Sequence, residues 1–138
     1  EPSGDIVRVY GDGPVAMIPR MSSDKRIPFE MVASGDIDEG LDRYREIKAG
    51  DGSHRAVTER RLNLLGYELL GKDLVKEAIA LFALNVEFYP DSWNVYDSLG
   101  EAYLKDGERE LAIENYRRSL ELNPGNSNGR KVLEEIGE

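Results

Sequence analysis

Cysteine is absent from this chain, and histidine and tryptophan occur once each. Without cysteine there is no disulfide framework, thiol nucleophile or thiolate metal site. Long apolar runs are absent too. Nothing approaches the roughly 18 to 20 residues that a membrane helix needs, and no succession of charged, apolar and small residues at the start reads as a signal peptide. We therefore expect a soluble chain with no membrane partner. Basic residues are the minority, 18 Lys and Arg against 27 Asp and Glu, for a net charge of -9. Such an excess repels phosphate backbones and anionic lipid headgroups, so nucleic acid is not an expected partner. The first residue is Glu1, not Met, and the expectation is a fragment or a processed product.

What is present fits one domain. The 138 residues are 40% apolar and 33% charged, with 14 glycines and 6 prolines; this is globular composition, neither collagen-like nor disordered. A repeat organises the chain. Residues 59–92 align with 93–126 at a spacing of 34: Leu65 with Leu99, Gly66 with Gly100, Leu70 with Leu104, Ala78 with Ala112, Ile79 with Ile113, Pro90 with Pro124, and Phe82 with Tyr116 in kind. Within each unit the apolar spacing is that of two helices, through Leu62, Leu65, Leu69 and Leu70, then Leu74, Ala78, Ile79, Phe82 and Val86. Small residues let paired helices approach, the aromatic fills the gap, and the proline ends the second helix. Gly107, and Gly71-Lys72-Asp73 before it, are the expected turns. Asp91 or Ser92, and later Asn126 or Ser127, are candidate helix caps.

Upstream, 35–50 reads as a weaker copy of a second helix, with Gly40, Leu41 and Tyr44 in the places of Ala78, Ile79 and Phe82, at a step of 38. The four extra residues fall in the polar stretch Gly50–His54, a loop by composition. Pro28–Ser34 is the expected partner helix, with Phe29 and Val32 facing inward. Downstream, Ser127–Ile136 places Val132, Leu133 and Ile136 on one face, as a capping helix would. The first 24 residues differ: Ile6–Tyr10, Gly11–Pro14 and Val15–Ile18 read as strand, turn and strand.

Tyr96, Leu99, Gly100, Tyr103, Ala112, Tyr116 and Pro124 closely resemble the tetratricopeptide repeat consensus. Leu62, Leu65, Gly66, Leu69, Ala78, Phe82 and Pro90 resemble it with aliphatic residues at aromatic positions. Asn85 and Ser119 depart from it, where a small apolar residue is usual. The run from Leu62 to Pro124, with LDRYREIK upstream, also looks like the C-terminal tetratricopeptide tails of some bacterial serine hydrolases of the β-lactamase-like or α/β-hydrolase kind. The expected fold is thus an all-α tetratricopeptide-type helix-turn-helix solenoid behind a short N-terminal β-hairpin. Its parts are a hairpin at 1–24, a degenerate pair at 25–58, clear repeats at 59–92 and 93–126, and a capping helix at 127–138.

In such arrays the first helix of each pair lines a concave groove for an extended peptide or partner helix. The resemblance places there Arg60, Asn63, Tyr67 and Leu70, then Asn94, Asp97, Glu101, Leu104 and Lys105, with Lys131 closing the row. Asp97 and Glu101 would favour a basic or amide-rich partner. The Lys and Asn set with which some family members hold a chaperone's terminal carboxylate is not reproduced, since Tyr67 occupies one asparagine position.

Signals for chemistry are thin. Ser22-Ser23-Asp24-Lys25 matches the Ser-x-x-Lys pattern, but the scaffold that motif needs is missing. His54, in a glycine-rich loop, has no triad partner near in sequence and reads as a solvated residue. Asp36, Asp38 and Asp42 beside Gly40 lack the closing Glu and loop Gly of a calcium site at the right spacing, and read as a capping aspartate with an acidic first turn. Arg60-Arg61 and Arg117-Arg118 read as solvated faces, and Trp93 as a packing residue between units. No cofactor or metal is expected. The expected function is a non-catalytic protein–protein interaction module whose groove takes a peptide segment, a neighbouring domain, the chain's own N-terminal segment or a second copy as a homodimer. The alternative is an accessory C-terminal tail docking on a hydrolase domain.

Overall fold

The computed structural model describes residues 26–137; the hairpin expected over 1–24 and the Ser22–Lys25 pattern lie outside them. Among the described residues are seven α-helices and no strand. They are α1 Pro28–Ala33, α2 Ile37–Gly50, α3 Glu59–Gly71, α4 Val75–Phe88, α5 Trp93–Lys105, α6 Arg109–Leu122 and α7 Ser127–Glu135, with a 3-10 turn at Arg55–Val57. None of these helices is long and apolar enough to cross a membrane. Three pairs, α1/α2, α3/α4 and α5/α6, are closed by the same turn. Its pivot is a left-handed residue two positions past the first helix: Gly35 (φ +101°), Asp73 (φ +64°) and Gly107 (φ +80°). Each pivot is followed by an amide that reaches back five residues, Asp36 to Met31 at 2.8 Å, Leu74 to Leu69 at 3.0 Å and Glu108 to Tyr103 at 2.9 Å, which is the Schellman closure. The pivots are spaced as the sequence repeats are, by 38 and then 34 residues.

Close approach within a pair is set by glycine. A Cβ at Gly66 would stand 2.4 Å from the Phe82 ring, and one at Gly100 would stand 2.9 Å from that of Tyr116. One apolar cluster runs from Val32 and Tyr44 through Val57, Leu62, Leu69 and Phe82 to Leu99 and Ala102. A smaller one joins Ala112, Ile113 and Tyr116 to Leu133 of α7, and Tyr103 packs against both. Burying these side chains supplies the drive for stacking.

The stack is regular at one end only. α4 packs on α5 and α6 on α7, whereas α2 packs on the 3-10 turn and α4 and scarcely touches α3. The polar stretch 51–54 is the expected loop, but the residues that follow it are not. α2 continues through Gly50, and the chain then folds Arg55–Val57 into a wedge whose Val57 is fully buried. The Tyr89 hydroxyl donates to the Val57 carbonyl and holds the wedge to α4.

Two expected caps also differ. Asp36 stands at the start of α2 but makes no capping bond; its carboxylate takes the Arg26 guanidinium at 2.6 Å. Ser92 precedes α5 without capping it, because its hydroxyl donates to Glu59 at 2.6 Å. Asn126 does cap α7, accepting from the Gly129 amide at 3.1 Å. His54 is exposed, and its Nδ1 accepts the Ala56 amide at 3.0 Å, so it caps the 3-10 turn.

Candidate functional site

Because α3 and α5 are equivalent helices 34 residues apart, equivalent side chains stand in adjacent rows. Tyr67 faces Glu101 and Leu70 lies beside Leu104 in a hollow of about 460 Å³, which Gly71 and Lys105 complete. The Tyr67 hydroxyl donates to Glu101 Oε1 at 2.8 Å. Its ring meets Phe82 edge-on, with centroids 5.0 Å apart, which fixes the ring's orientation. Burial pushes the Tyr67 hydroxyl well above its usual range, and the Glu101 carboxylate adds to this against an opposing contribution from Ser98. Leu70 is buried and forms an apolar floor. Lys105 donates to the Leu70 carbonyl at 3.3 Å and lies 3.9 Å from Asp73, so its ammonium stays at the rim. An apolar floor between an exposed carboxylate and an ammonium suits an extended chain, whose amides can be held at the edges and whose side chains can rest on the floor. Among the described residues no three His, Cys, Asp or Glu side chains are grouped to hold a metal ion.

The remaining residues of the row are placed elsewhere. Asn63 accepts the Ser98 hydroxyl at 2.6 Å and so ties α3 to α5. Arg60 lines a different hollow, with Arg55, Ala56, Thr58, Arg61 and Leu64. Asn94, half-buried on α5, and exposed Lys131 on α7 line neither of these two hollows.

Asp97 departs most from expectation. Instead of offering its carboxylate to a partner it is 8% exposed. It accepts from Asn126 Nδ2 at 2.7 Å, and the same amide nitrogen lies 3.0 Å from the Ser119 hydroxyl. Ser119 in turn donates to the Trp93 carbonyl at 2.9 Å. The equivalent bond one repeat earlier runs from Asn85 Nδ2 to the Glu59 carbonyl at 3.0 Å. The two residues that depart from the consensus thus share one task, hooking the second helix of a pair to the first residue of its partner. Their common repeat position and polar hydrogens were the sequence signal for it. Trp93 keeps 37% of its surface exposed, more than a residue packed between units would.

Residues 93–126 match the family model described as tetratricopeptide repeat, and no curated protein matches the chain. Three solved structures place it among known folds. A mutant of MamA is 20% identical, over 79% of this chain and 77% of that one, with a TM-score of 0.62. The first tetratricopeptide repeat of Spaghetti, bound to an HSP90 peptide, is 21% identical over 79% and 83%, with a TM-score of 0.56. The type III secretion translocator chaperone SycD of Yersinia enterocolitica, in an alternative dimer, is 16% identical over 79% and 85%, with a TM-score of 0.55. The described part of the chain is an all-helical tetratricopeptide-type solenoid, in which residues 93–126 carry the repeat in the form that its family model matches.

Proposed function

We propose that this chain is a non-catalytic protein–protein interaction module, built of units at 25–58, 59–92 and 93–126 with a capping helix at 127–138. Its groove between α3 and α5 takes a peptide segment, a neighbouring domain or a second copy. The observation that carries this reading is the Tyr67–Glu101 bond over Leu70 and Leu104, which sets a polar edge on an apolar floor. Two proteins of similar fold, one bound to a peptide and one a chaperone in a dimer, support the same reading. Packed helices hold the floor in place before a partner arrives, so little ordering entropy is lost on this side. Placement as the tail of a serine hydrolase rests on sequence likeness alone. The test is affinity capture with Tyr67→Ala/Glu101→Ala beside the unmutated chain, with helicity by circular dichroism as the control for folding. Loss of the captured partners is expected; an unchanged set would overturn the groove assignment.

A further inference from the structure

The hollow that holds Arg60 is a product of the four-residue insertion. The repeat shows what would otherwise lie there. Arg61 and Leu64 occupy the positions of Val95 and Ser98 in the next unit, which are 1% and 2% exposed, and Ser98 is bonded to Asn63 of the preceding unit. These are positions at which one unit meets the one before it. On α3 the wedge at Arg55–Val57 keeps α2 away, so Leu64 is left 51% exposed and Arg61 is exposed beside it. The resulting hollow, about 520 Å³, is lined by Arg55, Ala56, Thr58, Arg60, Arg61 and Leu64.

Its charge is the reverse of the chain's. Elsewhere an acid-rich surface supplies arginine with partners: Arg26 pairs with Asp36, Arg45 with Asp42 and Glu87, and Arg118 with Glu121. Arg55, Arg60 and Arg61 have no carboxylate partner among the described residues. Three guanidinium groups around one open aliphatic side chain match a segment with carboxylates on both sides of an aliphatic residue. A long polyanion fits less well, since the chain as a whole carries -9 and would repel whatever extends past the hollow. The far end of a second copy matches less fully than a wholly acidic segment, because α7 presents a mixed face, exposed Arg130 and Lys131 beside exposed Glu134 and Glu135. We infer that the hollow between the 3-10 turn and α3 is a docking site for an acidic peptide segment, which lays an aliphatic side chain on Leu64 and carboxylates on Arg55, Arg60 and Arg61. This site is separate from the groove at Tyr67 and Glu101, and its fate does not depend on that one.

The test is fluorescence anisotropy of the full chain with a labelled peptide Gly-Glu-Asp-Leu-Asp-Glu-Gly. Its comparison probes carry Lys for each acid, or Ser for Leu, and an oligothymidine of similar length is the fourth. Arg60→Glu/Arg61→Glu should weaken binding of the acidic peptide about tenfold or more, and Leu64→Ser should weaken it by a smaller factor. Arg117→Glu/Arg118→Glu, the same charge change on α6, should leave it unchanged. Helicity should be equal in all variants, because Arg60, Arg61 and Leu64 are exposed. No binding of the acidic peptide, equal binding of the Lys probe, equal loss in the α6 variant, or tighter binding of oligothymidine would each overturn the proposal. A dimer by light scattering that Leu64→Ser dissociates would assign the face to self-association and overturn it as well.

Discussion

Gly66 and Gly107 serve the same architecture for different reasons, and substitution separates them. Gly66 is required for space. An added methyl would stand 2.4 Å from the Phe82 ring, so Gly66→Ala must push α3 from α4 or turn the ring, at about 1 to 3 kcal/mol. Gly107 is required for its backbone angle. Nothing lies within 4 Å of a Cβ there, but φ is +80°, and a left-handed L-residue costs about 1 to 2 kcal/mol. Asp73 holds the equivalent turn at +64°, which shows that a short polar side chain is tolerated there. We therefore expect Gly107→Asn to be milder than Gly107→Ala in urea denaturation. The two mechanisms also differ in rescue. Phe82→Leu should recover part of the Gly66→Ala loss and none of the Gly107→Ala loss; equal coupling of Phe82 to both sites in a double-mutant cycle would sink the distinction.

At the scale of the element, α7 is attached by Leu133 with Val132 and Ile136 beside it, by Arg109, which donates to the Ile136 carbonyl at 2.9 Å, and by one side chain that does three things. Asn126 caps the helix through the Gly129 amide and donates to Asp97 and Ser119. Asn126→Ala removes the cap and strands a nearly buried carboxylate, and should cost about 2 to 4 kcal/mol. Amides of α7 should lose hydrogen-exchange protection before those of α3 and α4. Asn126→Asp keeps the cap but sets two carboxylates against each other, so its loss should be larger at neutral than at acid pH; a pH-independent loss would contradict the geometry. Asn126 as a cap was legible in the sequence, because it follows Pro124 and precedes an apolar face. The inward turn of Asp97 was not, since a groove position carried over by resemblance assumes open solvent and says nothing of a side chain arriving from α7. The pairing of helices was legible from typed positions 34 apart, down to the turn at Asp73. The wedge at Arg55–Val57 was not, because these residues follow the loop directly and have no counterpart in the repeat from which a helical turn could be read. Val57, an aliphatic residue standing between that loop and α3, was the sign that the segment folds back onto the core. The separation of Arg60 from Tyr67 follows from that wedge and was hidden with it.

Across the whole molecule, three tyrosines tie stability to alkaline pH. Tyr44 on α2 is pushed up to about 12 by burial, partly opposed by the nearby Arg61 guanidinium. Tyr67 on α3 and Tyr116 on α6 are also raised, in both cases chiefly by burial. Among the charges near Tyr116, the Asp97 and Glu101 carboxylates add to its rise. In the unfolded chain these hydroxyls ionise near the ordinary value of about 10. The folded state then holds more protons than the unfolded one above that pH, so stability is fully present below about 10 and falls as pH rises toward 12 and beyond. For Tyr44 alone the loss is on the order of 2 kcal/mol across that window. The three residues sit in successive units, but the core runs without a break from Tyr44 to Leu99 and meets the second cluster at Tyr103. Nearest-neighbour coupling of this kind should make the units fail together. Of the seven tyrosines, the absorbance owed to these three, isolated as the difference between the chain and its single Tyr→Phe variants at 44, 67 and 116, should therefore rise in one steep step, later than for free tyrosine, and coincide with loss of helix by circular dichroism. Tyr44→Phe should move that step to higher pH, provided the loss of one hydroxyl does not unfold the chain at neutral pH, which the same helix signal reads directly. Separate steps for Tyr44, Tyr67 and Tyr116 with the helix still intact would show that the units open independently.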